Sequence, residues 1–405
     1  MITEKEKSRL RELAKKQLEL ANSERNRQLY KDWEVHGMTD GSGRPMITVE
    51  FGTFSADFIP DLMQCESDRA RHLEWTLLMD IFSAENFGDD TIIRDYIPAS
   101  EEYGIKPFGL DVKRDESGGL GHHFVSYIKD LAEDFKLLNK STISKFANTY
   151  VTDIAEEAFG DILPVKKAGR ARGVSLLQDI VHIMDMEDMY AAMYDEPELF
   201  HKMMTMLTND YIEAIDRTEK ENLLRATNGD VHLPQGTMCF TSDLPAEGSG
   251  LKSSDIWIYM DAQEAEGISA ATYHEFFYPY MKQISDKFGL LSYGCCEGVD
   301  RFWNDLSTLK NLRKLSVSAW SNEEIIGEAL RGRKTVFHRK PSPQFIGVDK
   351  ILDEDALRAN IQKTVRCAEG LTLEFSQRDV YTVRKDAKKV ARYVEIIREE
   401  CEAKK

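Results

Sequence analysis

Basic residues are the minority in this chain: 53 Lys and Arg stand against 70 Asp and Glu, a formal charge of -17. A surface of that sign repels phosphate backbones, and no basic stripe interleaved with aromatics offsets it, so no nucleic acid partner is expected. Apolar runs of the roughly 18–20 residues that a membrane helix needs are missing, so no membrane association is expected. The stretch Met1–Asn22 is highly charged and lacks the apolar centre of a secretory signal. The 6 cysteines (Cys65, Cys239, Cys295, Cys296, Cys367 and Cys401) are scattered rather than spaced as a disulfide framework. The adjacent Cys295 and Cys296 would close only a strained ring, so reduced thiols and a cytoplasmic location are expected. There is no Cys-x-x-Cys or His-x-x-x-His pair, no internal repeat and no low-complexity linker. No Gly-rich phosphate loop follows any expected strand, which weighs against an open nucleotide-binding sheet.

What is present suffices for a large core: 405 residues, 42% hydrophobic and 10% aromatic. Residues 1–44 read as a helical arm, with Leu10, Leu13, Leu18, Leu20 and Leu29 among charges and a break at Asn22-Ser23. Such an arm packs on its own domain or on a second subunit, hence an expectation of a homodimer. Residues 45–405 read as the main domain. Expected strands are Met46–Phe51, Thr91–Ile97, Gly160–Val165, Leu223–Thr227, Leu290–Cys295, Leu312–Ser318, Thr335–His338 and Leu371–Phe375. Helices lie between them, including one over Glu198–Asn222 opened by Pro197 and one from Ser269 through Lys287. Spacings of roughly 20–40 residues fit βα units of a parallel sheet. A barrel and an open sheet share this pattern.

In a barrel the working residues sit at the C-terminal strand ends. Here those are Glu50, Cys295, Cys296, Glu297, Ser318, Trp320, His338, Arg339, Gln377, Arg378 and Asp379. Two thiols and a carboxylate in Tyr293-Gly294-Cys295-Cys296-Glu297 are soft and hard donors for Zn²⁺, or else small buried groups. Because neighbours in a strand face opposite ways, only one cysteine faces inward unless the strand has ended. Arg339 and Lys340 either clamp an anion or neutralise acids on the rim. His338 is a ligand, an acid–base group or a structural histidine. Glu374 lies inside a strand, where a carboxylate is paired or functional. The run from His232 to Pro245, with Cys239 and Asp243, reads as a lid or binding loop. His122-His123, beside Gly118-Gly119, is a weaker metal candidate, and the methionines around Met184–Met206 read as deformable core.

The residues Ser269 through Phe276-Phe277-Tyr278-Pro279-Tyr280, Phe288-Gly289-Leu290, Tyr293 to Glu297, Asn311-Leu312-Arg313-Lys314, Arg339 to Pro343 and Leu373-Glu374-Phe375 carry a family likeness. In that order, with Phe159-Gly160-Asp161 and Asp243-Leu244-Pro245 upstream, they resemble the uroporphyrinogen decarboxylase superfamily and its corrinoid-dependent methyltransferases. The resemblance implies an α/β fold, a (β/α)8 TIM-type barrel of the uroporphyrinogen decarboxylase kind with an N-terminal helical extension.

True uroporphyrinogen decarboxylases resemble one another in an Arg-Gln-Ala-Gly-Arg motif after the first strand. Val49-Glu50-Phe51-Gly52-Thr53 stands here instead. An acidic residue there repels an eight-carboxylate tetrapyrrole, so haem-pathway decarboxylation is not expected. The methyltransferase branch holds Zn²⁺ through His-x-Cys and a second Cys on the last strand. Cys295 matches the first cysteine, Tyr293 stands at the histidine, and the last strand offers Glu374 and Asp379. The resemblance thus implies metal ligands among Cys295, Cys296, Glu297 and Glu374, and a methyltransferase working with a corrinoid protein or a thiol. The alternatives are a metal-free decarboxylase or lyase and a non-catalytic partner of a corrinoid protein. Glu50, Arg339 and Asp379 are then the expected catalytic groups. Tyr293, Trp320, His338 and Arg378 are expected to bind a small-molecule substrate.

Overall fold

Side chains alternate across a strand, so a sheet covered on one face by helices and on the other by something else needs two different residue sets. Both sets are present. The structure, a computed structural model, describes residues 2–114, 124–248 and 250–403. Its strands β1 (Met46–Val49), β2 (Arg172–Val174), β3 (Trp257–Met260), β4 (Leu290–Tyr293), β5 (Leu312–Val317), β6 (Val336–Arg339) and β7 (Leu373–Gln377) form one 7-stranded sheet. Its order is β1-β7-β6-β5-β4-β3-β2, and every pairing is parallel. Ile47, Ile258, Leu291, Leu315, Phe337 and Phe375 belong to the main core cluster, which also takes in the surrounding helices. The opposite parity carries Thr48, Tyr259, Ser292, Ser316, His338 and Ser376, which line the inner face.

Among the described residues no strand joins β1 to β2, so the sheet is an open curl of 7 strands. The free edge of β1 is satisfied by side chains instead. Ile47 N donates to Asp90 Oδ2 at 2.8 Å and Val49 N to Asp89 Oδ2 at 3.0 Å. These two aspartates do the work of a neighbouring strand, and the expected strand over 91–97 does not form there. Ile97–Ala99 pairs instead with Val165–Lys167, away from the main sheet. Leu223–Thr227 is irregular, and its place in the sheet is taken by β2 and β3.

The run from His232 to Pro245 is not a structureless lid. His232–Leu233 and Thr237–Met238 pair as a hairpin whose turn residues Gln235 and Gly236 have φ of 77° and 80°. Gly236 O accepts from Thr48 Oγ1 at 2.5 Å and from Ser376 Oγ at 3.2 Å, which seats the turn against the inner face of β1 and β7. Leu233 and Cys239 pack with Trp257, Tyr259 and Leu290 as a second, smaller core.

The N-terminal arm forms two helices, α1 (Glu4–Ala21) and α2 (Glu24–His36), broken where Ser23 caps α2. Leu10, Leu13 and Ala14 enter the main core cluster, and Trp33 packs with Met46, Met238 and Phe240. The expected helix from Ser269 is likewise two, Ala270–Phe276 and Tyr278–Ser285. Pro279, which has no N–H to give, opens the second. No helix among the described residues is long and apolar enough to cross a membrane.

Candidate active site at the strand ends

Gly294 follows β4 with φ of 104°, and a Cβ there would lie 3.0 Å from Ser316 Cβ. Only glycine tolerates both conditions. The strand has therefore ended before the cysteines, and both thiols turn to the same place: Cys295 Sγ and Cys296 Sγ are 3.6 Å apart. Cys296 Sγ lies 3.5 Å from Asp379 Oδ2, and Arg378 Nη1 lies 3.8 Å from Cys295 Sγ. Asp379 holds φ of 59°, a left-handed conformation that Asp tolerates better than most residues.

Counting from His338, the next inner-face position is Lys340, not Arg339. Lys340 Nζ donates to Cys295 O at 3.1 Å and to Gln235 Oε1. Gln235 Oε1 also accepts from Arg378 Nη1. The hairpin turn thus orients two cations beside Cys295. Arg378 is held from its other side by Glu50, with Nε–Oε2 at 2.8 Å and Nη2–Oε1 at 3.0 Å.

The thiols titrate in opposite directions. The hydrogen bond from Cys296 holds the Cys295 thiol below its ordinary value against the cost of burial, with help from the Lys340 charge. The same contact with Cys295, together with burial, pushes the Cys296 thiol up. A neutral Cys296 donating to a Cys295 thiolate satisfies both shifts. Burial pushes up the carboxyls of the surrounding acids Asp261, Glu297 and Glu264, the last to about 7. Burial also pulls the Lys340 ammonium down.

Beside the thiols opens a cleft of about 750 Å³. Gln263, Glu264 and Cys296 form one wall, and Asp185, Met186 and Glu187 line it as well.

Several expected site residues lie elsewhere. Tyr293 is fully buried on the outer face, 3.0 Å from Tyr273 Oη, so alternation removes it from substrate binding. Arg339 also faces outward: it pairs with Glu323 at 3.1 Å and donates to Val317 O and Thr364 Oγ1, which makes it a brace between β6 and the helices. It is not available as a carboxylate clamp. Glu297 accepts from Ala262 N at 3.0 Å and from Cys295 N at 2.8 Å, so both its oxygens hold the loop. Glu374 lies near the N-terminal end of β7, 2.8 Å from Lys314 Nζ and 3.4 Å from His36 Nε2. His338 is buried above it on the inner face, 2.7 Å from Ser376 Oγ, and burial lowers it to about 3. Trp320 is 71% exposed in the loop after β5. His122-His123 lies outside the described residues.

The structure brings together Cys295, Cys296, Arg378, Asp379 and Glu50 from the expected set. Sequence reasoning named Lys340 only beside Arg339, as an anion clamp or a rim charge, and missed Gln235, Asp261 and Glu264 as members of the site. Parity from His338 would have found Lys340. Gln235-Gly236 carries only a faint turn signal, and Glu264 none.

The donor set does not fit the zinc expected from the resemblance. Among the described residues no group of three or more His, Cys, Asp and Glu is arranged to hold a metal ion. Glu297 and Glu374 are committed to backbone amides and to Lys314, and two cations already stand at Cys295.

No protein-family model matches this chain. No curated protein matches it either. The chain is similar to a solved structure, a methyltransferase from Methanosarcina mazei, with a TM-score of 0.37 and 10% identity over 61% of this chain and 62% of that one. The chain spans less than two thirds of that protein's length. No functional conclusion rests on a likeness of this extent.

Proposed function

We propose that this chain is an enzyme of methyl transfer, built on a seven-strand version of the (β/α)8 barrel, whose reacting group is the Cys295 thiolate. The observation that supports this most is the charge pattern at Cys295: Arg378 Nη1 at 3.8 Å from its sulfur, Lys340 Nζ at 3.1 Å from its carbonyl, and Cys296 as a hydrogen-bond donor. Cations and a donor of this kind lower a thiol's pKa and keep its nucleophilic form ready.

In the step proposed, the Cys295 sulfur lone pair attacks a methyl carbon. A sulfur–carbon bond forms, and the bond from the methyl to its carrier breaks with its electron pair leaving on the carrier. No step passes through zinc. A corrinoid protein or a small thiol as the exchange partner comes from the family resemblance alone, and the exposed Trp320 on the rim is a place for a protein carrier to touch.

The test is methyl transfer from methylcobalamin, read as a methyl added to the Cys295 peptide by mass spectrometry. The wild-type chain gains the methyl and Cys295→Ser does not. Equal methylation of the remaining cysteines in both proteins, with none at Cys295, overturns the reading.

A further inference from the structure

The two thiols after β4 do what neighbours in a strand cannot: they face each other. Gly294 ends the strand, and Cys295 Sγ and Cys296 Sγ stand 3.6 Å apart. The backbone that carries them is fastened from several elements. Cys295 O accepts from Ser316 Oγ and from Lys340 Nζ, both at 3.1 Å. Cys295 N donates to Glu297 Oε2 at 2.8 Å, and Gly298 N donates to Glu266 Oε2 at 2.9 Å. The fold therefore holds the sulfurs together.

The pair is also asymmetric. Arg378 Nη1 lies 3.8 Å from Cys295 Sγ, whereas Asp379 Oδ2 lies 3.5 Å from Cys296 Sγ. A cation beside one sulfur favours its anion, and a carboxylate beside the other is placed to take its proton. Cys296 also lines the cleft of about 750 Å³, which gives a small reagent a way in. A nucleophilic sulfur beside a resolving one is the arrangement of a peroxide-sensitive thiol pair. Methyl transfer to Cys295 has no use for Asp379.

We infer that Cys295 and Cys296 form a reversible modification site, oxidised by a hydroperoxide to a disulfide between neighbouring residues. The Cys295 thiolate attacks one peroxide oxygen. A sulfur–oxygen bond forms, the oxygen–oxygen bond breaks, and the departing hydroxide takes a proton from solvent. Cys296 then gives its proton to Asp379 and attacks the Cys295 sulfur. The sulfur–sulfur bond forms as the sulfur–oxygen bond breaks, and the hydroxide leaves as water with the proton from Asp379. Two thiols are oxidised and one peroxide is reduced to two waters. Closing from 3.6 Å to the roughly 2 Å of a disulfide strains a small ring in a fastened loop, so a thiol reductant reopens it readily. While the ring is closed, Cys295 has no thiolate. The inference goes beyond the methyl-transfer reading and requires no methyl donor.

The test treats the reduced full chain with hydrogen peroxide, without any methyl donor, and follows the tryptic peptide Phe288–Arg301 by mass spectrometry. That peptide holds both cysteines and no other. It should lose the mass of two hydrogens, and dithiothreitol should restore it. Burial pushes the Cys65 and Cys401 thiols up to about 12 and raises those of Cys239 and Cys367, so these four should stay reduced over the same time. In Cys296→Ser, Cys295 should stop as the sulfenic acid and be trapped by dimedone. In Asp379→Asn the disulfide should form more slowly and dimedone should capture Cys295. The wild-type result decides the matter whether or not the variants fold. A wild-type Cys295 trapped by dimedone or carried on to the sulfinic acid without a disulfide overturns the inference. So does oxidation of the other four cysteines ahead of this pair. A disulfide in a chain that never accepts a methyl group would leave the inference standing and sink the methyl-transfer reading. Methylation of Cys295 in a chain that forms no disulfide would do the reverse.

Discussion

Arg378 grips Glu50 with both prongs of its guanidinium, at 2.8 and 3.0 Å, and so ties the end of β7 to the end of β1. The third nitrogen is left to reach Gln235 and, at 3.8 Å, the sulfur of Cys295. Glu50 therefore regulates how much positive charge the thiol feels, and it is not free to act as an acid. Glu50→Gln should lower the Cys295 thiol further, because Arg378 keeps its charge and loses its counter-ion. Ultraviolet titration of the thiolate, with Cys295→Ser as the blank, checks the direction.

Lys314 and Glu374 are both buried, 2.8 Å apart, with Trp33 5.4 Å from the ammonium and His36 at 3.4 Å from the carboxylate. Burial alone would raise the Glu374 carboxyl, but Lys314 and His338 overcome it and hold it below the usual range. A carboxyl depressed on folding stabilises the protein above its unfolded pKa, and that contribution is lost as the pH falls through the folded value. Glu374→Gln leaves Lys314 uncompensated and should cost about 3–5 kcal/mol in denaturant unfolding near neutral pH. The loss should shrink in acid.

Glu264 shows the opposite sign. Burial raises its carboxyl to about 7. A carboxyl raised on folding contributes stability below its unfolded value of about 4.3, lost as the pH rises toward 7. Glu264→Gln removes this dependence, so the variant should gain stability relative to the wild type as the pH passes from 5 to about 8. Thermal melts at those two pH values check it.

Arg339 is a brace, not a clamp. Its ion pair with Glu323 is buried on both sides, and Thr364 Oγ1 hydrogen-bonds to both partners. Arg339→Ala should destabilise by about 3–5 kcal/mol. Any activity that survives should keep its KM. A KM rise in a stable variant would return Arg339 to the substrate.

The sequence pattern carried β1 and β4 to β7, because those runs are apolar, of strand length and bounded by turns. Arg172-Gly173-Val174 has no such signature: it is three residues long with a central glycine, and it is a strand through its pairing with β3, Arg172 opposite Ile258 and Val174 opposite Met260. The hairpin around Gln235 was legible as a loop but not as an insert against the inner face, since its partners Thr48 and Ser376 lie far away in the chain. The arm showed its leucines, but not that Trp33 and His36 would meet Lys314 and Glu374. At the site, Cys295 and Cys296 were placed by their strand end. The alternation from His338 points Lys340 into the site and turns Arg339 outward to Glu323. Tyr293 stands at the family's histidine position, and the same alternation turns it toward the helices, against Tyr273.

The measurement that bears most directly on the central claim is the pH dependence of Cys295 alkylation by iodoacetamide, followed by mass spectrometry of its peptide in wild type and Lys340→Met. The rate should reach half its maximum below the ordinary thiol value of about 8.5. Removing the Lys340 ammonium should move that midpoint upward. A midpoint at or above the ordinary value in the wild type, unmoved by Lys340→Met, would contradict a thiolate centre at Cys295.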